Sequence, residues 1–301
     1  MLHILPVTPE LRLSRNALLQ RALRSESPQT YSIEAEYPLV LSLEKSEYSF
    51  CGILPDSPRQ VLVHANFLPR TLDSQIGPIQ VGFIGNVATD ETVRGKGWMR
   101  HLFLFLENHA RNHGLAALIL WSDLPLFYHK LGYTPFGSER RFQCRLEAPA
   151  QWNGEIIVEE TPDSAVFAQL NPLRPAVPLT YQRTQAEWGQ LLLIPDSILL
   201  LAISAGEVEG FCILGKGYDM IGVVHEWGAR QPAILERLLQ HILAKTGWQK
   251  LTLLVPPKLD RKWEQWLDGQ ECSLHPVGLM QALTPQAKIL ETAFFWGMDG
   301  I

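Results

Sequence analysis

The feature that most constrains this chain is a glycine-rich loop between a strand-like and a helix-like segment. Ile79–Thr89 is rich in β-branched and apolar residues, and Met99–His113 repeats apolar residues at helical spacing before a stop at Gly114. Between them, residues 94–98 read Arg-Gly-Lys-Gly-Trp. Glycines let the backbone approach a ligand closely, and a helix N-terminus carries partial positive charge. This order therefore predicts a site for a phosphate-bearing ligand.

Two well-known phosphate loops do not fit the segment. In a Walker A loop Lys96 would be followed by Ser or Thr, but Gly97 stands there, and Asp90 occupies the place of the first glycine. In a dinucleotide-binding loop Arg100 would be the third glycine. A plain strand-to-helix turn remains open as an alternative, because short glycine patterns often match by chance.

The predicted elements of the first half alternate between strand and helix, which is the order of a mixed α/β sheet with helices on its faces. We expect a hairpin between Gln60–Leu68 and Ile79–Thr89, joined by a turn at Asp73–Pro78. The other expected strands are Leu2–Val7, Pro38–Leu43 and Leu115–Trp121, and the expected helices run from Thr8-Pro9 to about Arg24, over Met99–His113 and around Pro125–Leu131.

The second half repeats this order, so the sequence predicts two α/β domains, at 1–146 and 155–301. With 301 residues and 46% hydrophobic content, the chain is long enough for two cores. The linker is placed at Glu147–Gly154. A strand at Ile156–Val158, a proline-started helix after Thr161, hairpin strands at Val208–Leu214 and Asp219–Glu226, a helix over Pro232–Lys245 and a strand at Leu251–Val255 are expected.

Two motifs together resemble the GNAT superfamily of N-acetyltransferases. In that superfamily a strand ending like Val87-Ala88-Thr89 is followed by [RQ]-x-x-G-x-[GA], and Arg94–Met99 matches except at its last position. An aromatic segment with a glycine follows the next strand, as Phe127–Tyr133 does here. The adjoining Leu120–Asp123 is most similar to tandem-domain acetyltransferases related to the mycobacterial enhanced-intracellular-survival protein, without their sterol-carrier-like domain.

The resemblance implies that acetyl-CoA is the cosubstrate and that one stretch of main chain binds it. Backbone groups of three residues would pair with the pantetheine: Val87, Ala88 and Thr89. N–H groups of six residues would bind the pyrophosphate: Arg94, Gly95, Lys96, Gly97, Trp98 and Met99. Met99 departs from the family pattern, and a side chain there is expected to crowd the pyrophosphate. The second half reads Trp-Gly-Ala-Arg-Gln over 227–231 with a single glycine, so that copy is expected to be degenerate and to bind no CoA.

The resemblance also implies catalytic roles. Tyr128 occupies the family's position for the general acid that protonates the departing CoA thiolate. An amine with a pKa of about 10.4 must lose a proton before it attacks. Asp123 and Glu36 are the candidate bases from the sequence, and the family suggests a carboxylate at Ile301 as a third.

The main hypothesis is therefore an N-acetyltransferase that acts on a primary amine of a small molecule or peptide. The alternative is a non-catalytic CoA-binding or assembly module with the same fold. A nucleotide-binding enzyme is a third reading without a complete motif. The second half is expected to shape the acceptor pocket or a subunit contact, which leaves a homo-oligomer open.

Composition argues against several other classes of partner. The formal net charge of −5 disfavours nucleic acid and anionic membranes, and apolar runs such as Leu102–Leu106 fall short of a bilayer span. No basic, apolar leader opens the sequence, so the cytoplasm is the expected location. The four cysteines form no C-x-x-C pair, and His109 and His113 lie outside any H-E-x-x-H motif, so no metal is expected.

Overall fold

The computed structural model describes residues 2–25, 31–146, 152, 154–159 and 164–301. Most of the predicted linker and the predicted helix start at Thr161–Asp163 lie outside these ranges. Within the described part of the chain, no helix combines the length and the apolar content needed to cross a membrane.

The first half contains strands and helices in alternation. These are β1 His3–Pro6, α1 Arg12–Leu23, α2 Ile33–Glu36, α3 Pro38–Leu41, β2 Ser49–Ile53, β3 Val63–Ser74, β4 Ile79–Thr89, α4 Trp98–Asn112, β5 Ala117–Leu120, α5 Pro125–His129, β6 Thr134–Phe136 and β7 Glu139–Cys144. A 3-10 turn at Pro9–Leu11 leads into α1.

The second half follows a similar order. Its elements are β8 Glu155–Glu159, α6 Ser164–Leu170, β9 Leu179–Thr180, α7 Gln185–Leu191, β10 Ile198–Ser204, β11 Glu207–Leu214, β12 Val223–Ala229, α8 Pro232–Thr246, β13 Leu251–Val255, α9 Arg261–Leu267, β14 Glu271–His275 and β15 Gly278–Ala282. Two 3-10 turns, Pro285–Thr292 and Gly297–Asp299, complete the described chain.

The elements around the glycine loop are those that the sequence predicts, whereas one predicted strand is wrong. Pro38–Leu43 begins as the short helix α3, with Pro38 in the first turn, where its missing N–H costs no hydrogen bond. Its apolar residues Leu39–Leu41 are all buried, so they pack in the core from a short helix and not from a strand. The strands β2 and β10 were not predicted.

Two mixed sheets form the fold, which confirms the mixed α/β class. The first sheet has the order β1-β2-β3-β4-β5-β15-β6, and the second has the order β14-β7-β13-β12-β11-β10-β8. In each sheet one parallel pair, β4 with β5 or β12 with β13, is linked by a long helix, α4 or α8. The two halves therefore have the same arrangement around their parallel pairs.

The halves exchange their last strands. β7 pairs with β13 and β14 of the second sheet, although it precedes residue 146. In return β15 lies between β5 and β6 of the first sheet. A division between residues 146 and 155 thus separates strands that belong to one sheet, and the predicted domain limits stay a prediction.

The segment after β15 packs between the sheets. Phe295 contacts Phe83, Trp121 and Phe136 of the first half, with the Phe83 ring centroid 5.3 Å away. Its neighbour Trp296 packs on Trp227 of the second half, 6.0 Å between centroids. Residues 294–301, the tail, are buried over 294–299 and form an extended and 3-10 segment.

We predict that a chain ending at residue 146 does not form the first sheet. It lacks β15, so β5 becomes an unpaired apolar edge and β6 loses its neighbour. Near-UV circular dichroism should show loss of fixed tertiary packing, and size-exclusion chromatography should show self-association. Co-expression with residues 147–301 should restore a compact complex, and cooperative unfolding of the short chain alone would contradict the prediction.

Candidate functional site

The site begins where β4 separates from β5. Their parallel pairing runs from Val81–Ala117 to Ile84–Leu120 and stops there, while β4 continues to Thr89. On its other side β4 pairs with β3, with a bulge that sets Asn86 and Val87 opposite the single residue Ala65. A bulge leaves backbone groups out of the ladder. The second half of β4 can therefore offer main-chain N–H and C=O groups to a ligand.

A buried histidine on the neighbouring strand β3 stabilises the bulge. His64 lies on β3, and its Nδ1 donates to the carbonyl oxygen of Asn86 at 2.8 Å. Burial lowers the pKa of His64 to about 3, against the opposing effect of that hydrogen bond. The ring is consequently neutral at physiological pH and fixes the bulge as a hydrogen-bond donor.

Asn86 has an unusual backbone conformation and buried polar atoms without partners among the described residues, two features common at ligand-binding sites. Its backbone φ is +50°, which is uncommon for a residue other than glycine. Its side chain is 7% exposed, and neither amide atom has a hydrogen-bond partner among the described residues. Buried polar atoms without partners are costly, so their presence at the separation of two strands fits a polar ligand there.

The predicted phosphate loop follows directly. Gly95 and Gly97 have φ of +79° and +76°, and Gly97 is the residue before the first turn of α4. The first helical hydrogen bond runs from the His101 N–H to the Gly97 carbonyl at 3.1 Å. The N–H groups that precede His101 on the helix lack intrahelical acceptors. A Cβ atom added at either glycine would meet nothing within 4 Å, so the loop is open to a ligand.

Met99 does not crowd this loop with its side chain. It is buried in the core cluster that also contains Leu102, Leu118 and Leu120. The helix still begins normally at Trp98, and Lys96 lies over the Trp98 ring with its Nζ 5.3 Å from the centroid. The Met99 side chain, which departs from the motif, therefore packs in the core and, contrary to the expected crowding, does not occupy the loop.

Tyr128 lies in the same cluster as Ile84 and Leu120, the last paired residues of β4 and β5. It is 6% exposed, and its ring centroid is 5.7 Å from that of Phe103. Burial raises the pKa of Tyr128 to about 12, although a hydrogen bond with the Ser122 side chain acts in the opposite direction. The hydroxyl therefore keeps its proton, as a general acid must.

The two candidate bases from the sequence occupy unequal positions. Asp123 is exposed after β5. Glu36 is buried, but one of its oxygens accepts from Arg24 at 2.7 Å, and the other accepts from Arg24 and from the Tyr218 N–H at 2.9 Å. Both oxygens are occupied, so this ion pair argues against Glu36 as a free base.

The tail brings Ile301 to the separating strands. A Cβ atom built on Gly85 would lie 2.3 Å from the Ile301 carbonyl oxygen, so glycine is required for this approach. Ile301 also lines a small pocket together with Glu36, Tyr37, Leu191, Ile194 and Lys216. The pocket thus joins the first half, the second half and the tail next to β4.

In the second sheet the corresponding space is filled. β12 and β13 pair only at Val223–Thr252 and Val224–Leu253 before they separate. Trp227 of β12 crosses the gap and donates from Nε1 to the Leu254 carbonyl at 2.8 Å. Beside it Glu226 is fully buried between two arginines, Arg174 and Arg183. These contacts leave no comparable cleft among the described residues of this half.

Sequence reasoning missed the buried polar residues at the junction of the halves. Arg183 binds both Glu226 and Asp299, and it bonds the Asp299 carboxylate at 2.6 Å. The signal available was a charged residue inside an apolar strand, as in Val-Val-His-Glu-Trp over 223–227. The described residues contain no cluster of three or more His, Cys, Asp or Glu suited to a metal ion.

Comparison with known proteins points to one family for the first half. Residues 16–136 match the acetyltransferase (GNAT) domain, a stretch that includes β4, the loop, α4 and Tyr128. No curated protein matches the chain. The domain match indicates an acyltransferase that uses an acyl-CoA.

Solved structures share the fold along nearly the whole chain. A conserved protein from Enterococcus faecalis V583, described as a probable N-acyltransferase, has a TM-score of 0.68 at 14% identity, covering 97% of this chain and 73% of that one. A GCN5-related N-acetyltransferase from Kribbella flavida scores 0.64 at 15% identity, with 94% and 72% covered. Eis1 from Mycobacterium abscessus scores 0.57 at 12% identity, with 94% and 74% covered. At these identities the likeness establishes the fold.

We predict that two buried histidines make the fold acid-sensitive. Burial lowers the pKa of His64 to about 3 and that of His225 to about 4. Below pH 6.5 the unfolded chain binds these protons and the folded chain does not, so stability is full above that pH and falls toward pH 4. Each histidine contributes a slope of up to about 1.4 kcal/mol per pH unit.

Urea unfolding between pH 7 and 5 measures this slope. His64→Gln and His225→Gln should each reduce it whatever their absolute stability, whereas the exposed His3→Gln should leave it unchanged. A slope that neither buried substitution alters would show that these rings are not the titrating groups.

Proposed function

We propose that this protein is an N-acetyltransferase that transfers the acetyl group of acetyl-CoA to a primary amine. The observation that carries the proposal is the separation of β4 from β5 beside the bulge at Asn86, directly before the glycine loop and the N-terminus of α4. The GNAT domain match over residues 16–136 supports the same reading.

The main chain from Val87 to Met99 is suited to a long, phosphate-bearing thioester. Val87, Ala88 and Thr89 lie on the part of β4 that continues past its pairing with β5, so they can bind pantetheine as an added strand would. The N–H groups of Gly95, Gly97 and the first turn of α4 suit a pyrophosphate, whereas those of Arg94 and Lys96 donate to the Glu91 and Val93 carbonyls. We assign the thioester to the level of Asn86, where backbone N–H groups can stabilise a developing oxyanion.

In the proposed reaction the amine nitrogen attacks the acetyl carbon, a C–N bond forms and the C–S bond breaks. The amine loses one proton, and the sulfur of CoA gains one. Tyr128 is the proposed donor of the second proton, because its burial keeps the phenol protonated.

For the base, neither of the two candidate side chains is a buried carboxylate with a free oxygen. Ile301 lies against Gly85 near the end of the paired part of β4, whereas Glu36 is held by Arg24 and Asp123 is exposed. Residue 301 therefore borders the cleft to which we assign the thioester.

The pocket beside Ile301 suggests an acceptor whose amine sits on an apolar body. Leu39, Val40, Leu191 and Ile194 supply aliphatic walls. The charges of Glu36 and its neighbours are already compensated within the protein. A strongly polycationic acceptor would therefore find few free carboxylates beside this pocket, so we propose an amine on an apolar body as the acceptor.

We predict that Gly97→Ala weakens CoA binding far more than it weakens the fold. The αL conformation costs a residue other than glycine about 1–2 kcal/mol, and the added methyl group meets no protein atom. Bound pyrophosphate would meet the methyl group and the altered amides, so calorimetry should show a loss of at least about 10-fold in affinity.

Gly114→Ala is the matched control, because Gly114 ends the same helix with φ of +71° and equally open surroundings. It should cost similar stability and leave CoA affinity unchanged. Equal affinities for the two variants would remove the loop from the proposed site.

We predict that Tyr128→Phe lowers kcat by about 100-fold without changing CoA affinity, because it removes only the proton donor. Release of free thiol from acetyl-CoA across a panel of amines, from alkylamines and arylamines to polycations, measures this. Tyr133→Phe is the control, since Tyr133 is also buried, packs on Phe103 and has a hydroxyl without a hydrogen-bond partner among the residues that the structure describes.

CoA binding without thiol release on any amine would support the non-catalytic alternative instead. A normal rate for the Tyr128 variant would exclude that residue from the proton transfer.

A further inference from the structure

The hairpin turn between β11 and β12 carries a buried lysine. Residues 215–222 connect the two strands, and Gly215-Lys216-Gly217 opens this connection with positive φ at both glycines. Lys216 is 6% exposed, although lysine is rarely buried without a charged partner. The turn packs tightly on the first half, because a Cβ atom at Gly217 would lie 2.5 Å from Glu36 Oε2.

Lys216 binds the tail and not a carboxylate. Its Nζ donates to the Gly297 carbonyl at 2.8 Å and to the Gly300 carbonyl at 2.6 Å. No carboxylate oxygen of the described residues lies within ion-pair distance of it. These two carbonyls flank the 3-10 turn Gly297–Asp299, so one amino group closes that turn.

The closed turn determines where the chain goes next. Asp299 is fixed within it, since its carboxylate accepts from the Trp296 N–H at 3.0 Å and from Arg183. Ile301 follows two residues later and rests on Gly85. The direction of the last residues toward β4 therefore depends on how Lys216 holds the Gly300 carbonyl.

Holding an amino group in this place is costly. Burial lowers the pKa of Lys216 to about 8, with Arg183 adding to the effect and Asp219 opposing it. An apolar side chain would fill the same space without that penalty. A burial of this kind is explained by a requirement for the two hydrogen bonds.

We propose that Lys216 is a positioning residue of the acyl-transfer site, supplied by the second half, which holds Ile301 against Gly85 through the Gly297 and Gly300 carbonyls. The inference rests on the proposed function for its catalytic consequence. Its structural consequence, a fixed tail, can be measured separately.

The test compares Lys216→Met with Lys262→Met in the full chain. Lys262 also donates from Nζ to a main-chain carbonyl, that of Arg230 at 2.9 Å, but it is exposed on α9 and its carbonyl acceptor lies outside the tail. Lys216→Met should speed amide hydrogen exchange over 297–301 and lower kcat by at least about 10-fold. The affinity for CoA and the KM for acetyl-CoA should stay within about twofold of the wild-type values. Lys262→Met should change none of these quantities.

Unchanged exchange in the tail, or an unchanged kcat with a released tail, would overturn the proposal. If the wild-type protein acetylates no amine, the proposed function fails while the exchange result still decides whether Lys216 fixes the tail. Should the Met variant fail to fold, Lys216→Gln, which keeps a shorter donor, should show the same changes to a smaller degree, and wild-type behaviour of that variant would count against the proposal.

Discussion

The placement of β15 between β5 and β6 is the contact on which the cleft depends. It makes β5 an interior strand held on both sides, so β4 can leave it after Ile84–Leu120 without exposing a loose edge. The same connection delivers the tail to the space between the sheets, with Phe295 on one side and Trp296 on the other. The cleft of the first sheet is thus built partly by the last residues of the chain.

Buried charge joins the tail to the second sheet. Arg183, Glu226 and Asp299 form a dehydrated network, in which each charge has an opposite partner at hydrogen-bond distance. Such a network contributes little net stability, but removal of one member leaves the others uncompensated. We interpret this network as fixing the position of the tail on the second sheet.

The parts of the fold that the sequence predicted are local. The strand, glycine loop and helix from Ile79 to Asn112 follow from residue types within one stretch, and Tyr128 follows from a motif close by. The exchange of β7 and β15 depends on pairing across more than a hundred residues, which periodicity does not encode.

The same distinction separates the candidate bases. The sequence places Glu36 near a proline and gives no sign of its partner Arg24 or of Tyr218, which lies in the other half. Ile301 was suggested only by family resemblance, which gave no sign of its contact with Gly85. Side-chain roles that depend on a tertiary partner could not be read from residue spacing.

The exchange of β7 and β15 between the sheets also determines when each sheet can form during synthesis. While the nascent chain has only its first half outside the ribosome, β5, with the sequence Ala-Leu-Ile-Leu, has one unfilled flank. That flank stays open until residues 278–282 emerge, so neither sheet can close before nearly all of the polypeptide is available. Long-range closure of this kind is slow, and the apolar flank of β5 stays exposed until the late residues arrive.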